Sequence, residues 1–334
     1  MSDSSMRLSA IDSAKGIGIL LVVFGHAWRG AWGANLLPNE GLFKLVDYAI
    51  YAFHMPLFFF LSGLLFLETL QKYNAEKLLK GRLTRLLWPM MLWSWIFFAL
   101  KLSAGQAANT PVVLSDFPVI PLPPYEHLWF LWALFLCQTI LILLYAVVGA
   151  RLPATTWRWI AAIAAVIWAA LNPLIPVPSD IWGPMFEHFP YFLAGIAVGS
   201  LSRIRVPPLL GGLCAIGFVV LLWLVQGEKA AVLHSLAIVL LAWGAWLCVD
   251  RRTGSQPVGI LLRSLRSLRA LGQASMVIYL MHTVFSASLR ILMVKFGFDD
   301  ITLILVATLV VGVVGPVIVG WGAAKLRLSK ILGF

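Results

Sequence analysis

The sequence predicts an all-α fold, a polytopic bundle of membrane-spanning helices, and three observations carry that prediction. Of the 334 residues, 61% are hydrophobic and only 12% are charged, more apolar surface than a soluble domain of this length can hide. The mean hydropathy is accordingly +0.91. The apolar residues fall in separate runs of about 17–24, the length a bilayer core demands, and the basic residues gather between the runs. Helices are the expected element because they satisfy their own backbone groups in lipid.

Ten spans are expected, and the first, Gly16–Gly33, is the one the others are organised around. It follows Asp12 and Lys15 and carries His26 deep inside an apolar run. Eleven residues separate Lys15 from His26, which at ~100° and ~1.5 Å per residue places them on one helix face, roughly 16 Å apart. An ionisable group inside a membrane helix is expensive and points first to function. The second span, Val46–Leu67, holds His54 two residues before Pro56, whose missing N–H frees a carbonyl there. Ser62 and Gly63 lie two turns on, small enough for close backbone approach or for helix packing. The connection Glu68–Arg85 ends with Arg82 and Arg85, one turn apart and able to face one phosphate group. The third span, Leu86–Ser103, leads to the proline-rich loop Ala104–Glu126, which cannot span.

The fourth span, His127–Gly149, opens on Glu126, His127 and Trp129 at the membrane interface, where the aromatic residues form either a sugar-stacking platform or an interfacial belt. Trp157–Leu174 and Phe186–Leu201 follow; the latter is short and begins with Glu187 and His188. Leu209–Gln226 and Ala231–Val249 precede a basic connection, Asp250–Ala270, where Arg263, Arg266 and Arg269 share a helix face in an interfacial pattern. Leu271–Val294, with His282, and Ile301–Ala324 complete the set. An even number of spans puts both termini on one side, and nineteen of the 25 lysines and arginines then fall on that side, which marks it as cytoplasmic.

The formal charge of +11 therefore reads as topology rather than as affinity for nucleic acid. Cys137, Cys214 and Cys248 sit in or beside apolar runs and are not spaced as a metal clip. The sequence contains no HExxH, GxSxG or Walker-type loop, so a metal hydrolase, a serine esterase and a P-loop ATPase all lack support, and no metal is expected. From the residues alone, a membrane enzyme built around His26 competes with a secondary transporter, for which midplane ionisable groups and a proline-broken helix are equally suitable.

The motifs in order resemble those of acyltransferase family three, the integral membrane O-acyltransferases, and especially its fucose O-acetylase-like branch. Asp12, Lys15 with Gly16, and His26 resemble its opening signature; Phe53–Gly63 (FHMPLFFFLSG) its second-helix motif; Arg82 and Arg85 its RxxR; and His127–Leu131 (HLWFL) its fourth-helix motif. Tyr191–Gly195 and Ser275–His282 are similar to weaker signatures toward its C-terminal half. The resemblance implies one membrane domain over residues 1–334, in the cytoplasmic (inner) membrane, without the hydrolase-like accessory domain of some members. It also implies acyl transfer, usually acetyl transfer from acetyl-CoA, to a hydroxyl of a sugar or lipid-linked glycan. On this reading Lys15, Arg82 and Arg85, with Asp12, Ser62 and Gly63, hold the donor, while His26, supported by His54, is the base. Glu126, His127, Trp129 and His282 then face the acceptor.

Overall fold

A computed structural model describes residues 3–105, 111–175, 177, 179–199, 206–224, 232–252 and 259–334. Its helices, in chain order, are α1 (Asp3–Gly33), α2 (Glu40–Tyr51), α3 (His54–Leu64), α4 (Phe66–Lys72), α5 (Ala75–Arg82), α6 (Trp88–Ala104) and α7 (Trp129–Val148). They continue with α8 (Ala154–Leu171), α9 (Gly183–Val198), α10 (Pro208–Leu224), α11 (Val232–Arg252), α12 (Gly259–Gln273), α13 (Ser275–Lys295), α14 (Ile301–Lys325) and the short α15 (Ser329–Leu332). Among the described residues, eight helical segments are long and apolar enough to cross a membrane, which makes this an integral, multi-pass protein of the cytoplasmic membrane. The sixth and seventh expected spans coincide with α9 and α10, which at 16 and 17 residues are shorter than those eight. Arg203, Arg205 and Lys229, used above for topology, lie outside the described residues, as do the side chains of Arg7, Arg251, Arg252 and Arg263.

The expected second span is an apolar segment of 33 residues, Glu40–Lys72, broken into α2, α3 and α4. The break between α2 and α3 falls at Ala52–Phe53, where Pro56 has no N–H to offer the carbonyl of Ala52. The third span also begins earlier than the apolar run does. α5 passes into α6 through one widened π turn, Leu83–Leu87, in which the Trp88 N–H reaches back to Leu83. Pro89 follows at once, so the carbonyl of Arg85 has no N–H four residues on to accept from, and the turn widens there.

α1 runs through the middle of the bundle, against α2, α3, α11, α12, α13 and α14. Its approach to α12 depends on two glycines: a Cβ added to Gly16 would stand 2.0 Å from the Leu268 carbonyl oxygen, and one on Gly272 1.7 Å from that of Asp12. α3 and α9 meet in the same way. Gly63 lies against the Phe192 carbonyl and Gly195 against that of Phe60, each with 2.1 Å for an added Cβ. The fully buried rings of Phe59, Phe60 and Phe192 fill the space around this contact. Gly63 is thus a packing residue between two helices. Gly63→Ala and Gly195→Ala are expected to destabilise the bundle by about 1–3 kcal/mol, since backbone cannot swing aside as a side chain can. Thermal unfolding in nanodiscs checks this; unchanged transitions would show that the two helices do not meet there.

Candidate functional site

Four helices wall a narrow cavity of about 140 Å³, and its lining follows from the spacing of their residues. α1 supplies Lys15 and Ile19, α3 supplies Met55, Phe58 and Ser62, α7 supplies Phe130, Leu131 and Leu134, and α13 supplies Ser275, Met276 and Tyr279; Leu86 closes one side. Residue numbers rise along α1 and α13 in the direction in which they fall along α3 and α7. Along that one direction, each of the four helices reaches a histidine at or just beyond the cavity's end: His26, His282, His54 and His127. The cavity therefore leads from the level of Lys15 toward a layer of imidazoles. Met55 and Tyr279 stand at its inner end, beside that layer.

Three of those imidazoles meet. The ring centres of His26 and His282 are 5.0 Å apart, those of His127 and His282 5.0 Å, and those of His26 and His127 5.5 Å. His282 is fully buried and His127 nearly so, whereas His26 is partly buried. His282 Nδ1 donates to the carbonyls of Tyr279 (2.8 Å) and Ile278 (3.0 Å), and His127 Nε2 donates to that of Tyr279 (3.1 Å). The Tyr279 hydroxyl donates in turn to the His127 carbonyl, tying α13 to the start of α7. Among the described residues no hydrogen bond engages the His26 ring.

His54 stands one aromatic layer away. Its Nδ1 donates to the Ile50 carbonyl at 2.7 Å, and the Tyr51 ring lies between the two histidines, 4.6 Å from His54 and 6.4 Å from His26. Arg29 covers the other face of this group: its guanidinium lies 3.3 Å from the Tyr51 ring centre and forks onto the Asp47 carboxylate at 2.5 and 2.8 Å. Tyr51, Asp47, Arg29 and Tyr279 escape a search for buried ionisable groups on single helices. Arg29, one turn beyond His26, carries a spacing signal; Asp47 and Tyr51 carry none.

At the other end, Lys15 Nζ is 3.7 Å from the Asp12 carboxylate, which also accepts from Gln273 Nε2 at 3.3 Å. Arg82 and Arg85 lie on either side of the start of the π turn, just before Leu86 of the cavity wall. Arg82 is half-buried with its guanidinium 5.8 Å from the Phe66 ring centre, and Arg85 is exposed. Ser62 lines the cavity; Gly63 does not.

The remaining expected acceptor residues divide. Glu126 has φ +50, in the left-handed region, and the chain turns there so that His127 enters the bundle while the Glu126 carboxylate stays exposed, paired with Lys101. Trp129 is half-buried with its ring 5.0 Å from that of His188. Among the described residues no set of three or more His, Cys, Asp or Glu side chains is arranged to hold a metal ion.

A half-buried imidazole at the end of a narrow, cation-mouthed cavity is suited to taking a proton from a hydroxyl beside a thin acyl carrier. The profile of a family described as an acyltransferase domain matches residues 8–322. The chain is similar to a nodulation protein, NolL, of Sinorhizobium fredii, with 32% identity over 55% of this chain and 46% of the relative. It is also similar to NolL of Mesorhizobium japonicum, with 31% identity over 38% of this chain and 33% of the relative. The chain thus aligns with less than half the length of either relative. No solved structure matches it.

Proposed function

The chain belongs to this acyltransferase family, and from that premise we propose that it is an O-acyltransferase moving an acyl group, most simply acetyl, from acyl-CoA to a hydroxyl of an envelope or exported glycan. The observation that carries the reading is that Lys15, the cavity and the histidine layer follow one another along one direction of the bundle. The cavity, at about 140 Å³, is well below the ~300–1,000 Å³ typical of a pocket for a whole ligand. It suits the thin pantetheine arm, with the phosphate-rich head of the donor left outside at Lys15, Arg82 and Arg85. Asp12 holds Lys15 in place there, and Ser62 offers a hydroxyl to the arm within the passage. On this reading the mouth and both termini face the cytoplasm, the side to which the basic connections belong.

The transfer needs one base. His26 takes the proton of the acceptor hydroxyl as that oxygen attacks the thioester carbonyl, a contribution typically of ~10²–10⁴ in rate. The carbon–sulfur bond then breaks, the acyl group remains on the acceptor oxygen as an ester, and the CoA thiolate recovers the proton from His26. His54, His127, Trp129 and Glu126 belong to the acceptor side. The resemblance to the fucose O-acetylase-like branch implies a sugar hydroxyl there.

The test is NMR comparison of glycan O-acetylation in cells with and without the gene. Loss of ester-linked acetyl resonances is expected on deletion; an identical spectrum, with an altered distribution of a transported solute, would instead favour a transporter. The cationic mouth makes a separate expectation. Arg82→Ala with Arg85→Ala should raise the donor KM about tenfold, the loss of roughly 1.4 kcal/mol of phosphate binding, with the acceptor KM unchanged. Steady-state kinetics with each substrate varied checks it, and an effect confined to the acceptor would contradict the assignment.

A further inference from the structure

His282 has its protonation state written into the backbone around it. Its Nδ1 lies 2.8 Å from the Tyr279 carbonyl oxygen and 3.0 Å from that of Ile278. A carbonyl oxygen can only accept, so Nδ1 carries the proton and Nε2 of the neutral ring is a bare lone pair. That Nε2 is buried and has no hydrogen-bond partner. A buried acceptor left unmet in a well-packed core calls for an explanation, since the great majority find a donor.

Three rings adjoin His282, those of His26, His127 and, at 6.4 Å, Tyr279, and only one can bring it a proton, since the Tyr279 hydroxyl is spent on the His127 carbonyl. His127 spends its Nε2–H on the Tyr279 carbonyl at 3.1 Å, so its Nδ1 is itself a lone pair in the neutral ring. His26, with its ring centre 5.0 Å from that of His282, is engaged by no carbonyl among the described residues. We propose that His282 is the positioning residue for His26: it accepts the N–H of His26 on Nε2 and so fixes which of the two His26 nitrogens is the free base. When His26 takes up the acceptor proton, His282 then holds the imidazolium N–H and keeps the ring aimed. Asp12, on α1 itself, is too far down the helix for this task, by roughly 20 Å at the helical rise. The arrangement resembles the way a third group orients the imidazole of a hydrolytic triad, with a neutral ring in place of a carboxylate.

This inference rests on the reading of His26 as the base, and the experiment separates the two. His282→Leu removes the acceptor and keeps the volume; it should lower kcat on the order of 10²-fold and leave both KM values near wild type. His282→Gln returns an acceptor oxygen at about the same reach and should restore most of that loss. Imidazole ¹⁵N NMR of the purified protein in nanodiscs reads the tautomers without any assay: His282 should carry its proton on Nδ1, and His26 should pass from one tautomer to a mixture in His282→Leu. Wild-type kcat in a folded His282→Leu, or a His282 proton on Nε2, would overturn the inference. Full activity in His26→Ala would overturn the base assignment instead.

Discussion

Alanine at His26 is expected to abolish acyl transfer, with kcat down by at least about 10² and a thermal transition close to that of the unsubstituted protein. The expectation follows from where the ring sits. It is half-buried, at the meeting point of α1, α7 and α13, and is free of carbonyl partners among the described residues. Removing it takes away a base and breaks no bond to a backbone carbonyl. His127 differs in this respect, because its ring and its backbone carbonyl both bond to Tyr279, so a substitution there loosens the contact between α7 and α13 as well. Product formation and thermal unfolding, measured on the same preparations, check the prediction. Transfer at the unsubstituted rate would remove His26 from the chemistry.

Filling the cavity should be nearly as damaging, for a different reason. Ser62 of α3 and Met276 of α13 both line a space of about 140 Å³, small enough for one indole to occupy much of it. Ser62→Trp or Met276→Trp is expected to cut donor-dependent transfer about 10²-fold while leaving the three histidines in place. A near-attack arrangement tolerates little displacement, and a 1 Å error can cost that much. The corresponding measurement is CoA release at saturating acceptor. A wild-type rate in both variants would show that the donor arm takes another route.

The sequence made some of this legible and hid the rest for physical reasons. His26 and Lys15 could be placed on one face of one helix because residues on a single helix are related by a fixed rotation and rise. The meeting of His26 with His127 and His282 could not, since they lie 101 and 256 positions away along the chain and only tertiary packing brings them together. His127 and His282 were therefore assignable to the acceptor side at best. Pro56 announced a disturbance in the second span, but not that the segment would divide into α2, α3 and α4. The π turn at Leu83–Leu87 carried only the mark of Pro89, and it changes the relation between Arg82 and Arg85 from that of a plain helical turn. Gly63 shows how a motif position divides on inspection: its neighbour Ser62 lines the cavity, while the glycine itself meets the backbone of α9. Spacing alone cannot distinguish a gap left for a ligand from one left for a helix.

The proposed transfer depends above all on the donor entering at the Lys15 end and delivering its acyl group at His26. Sealed membrane vesicles of both orientations, each given acetyl-CoA labelled in the acetyl group from outside only, test that most directly. Label should reach glycan, with release of CoA, only in vesicles that expose the Lys15, Arg82 and Arg85 face. Equal labelling from either face, or labelling confined to the opposite one, would contradict it.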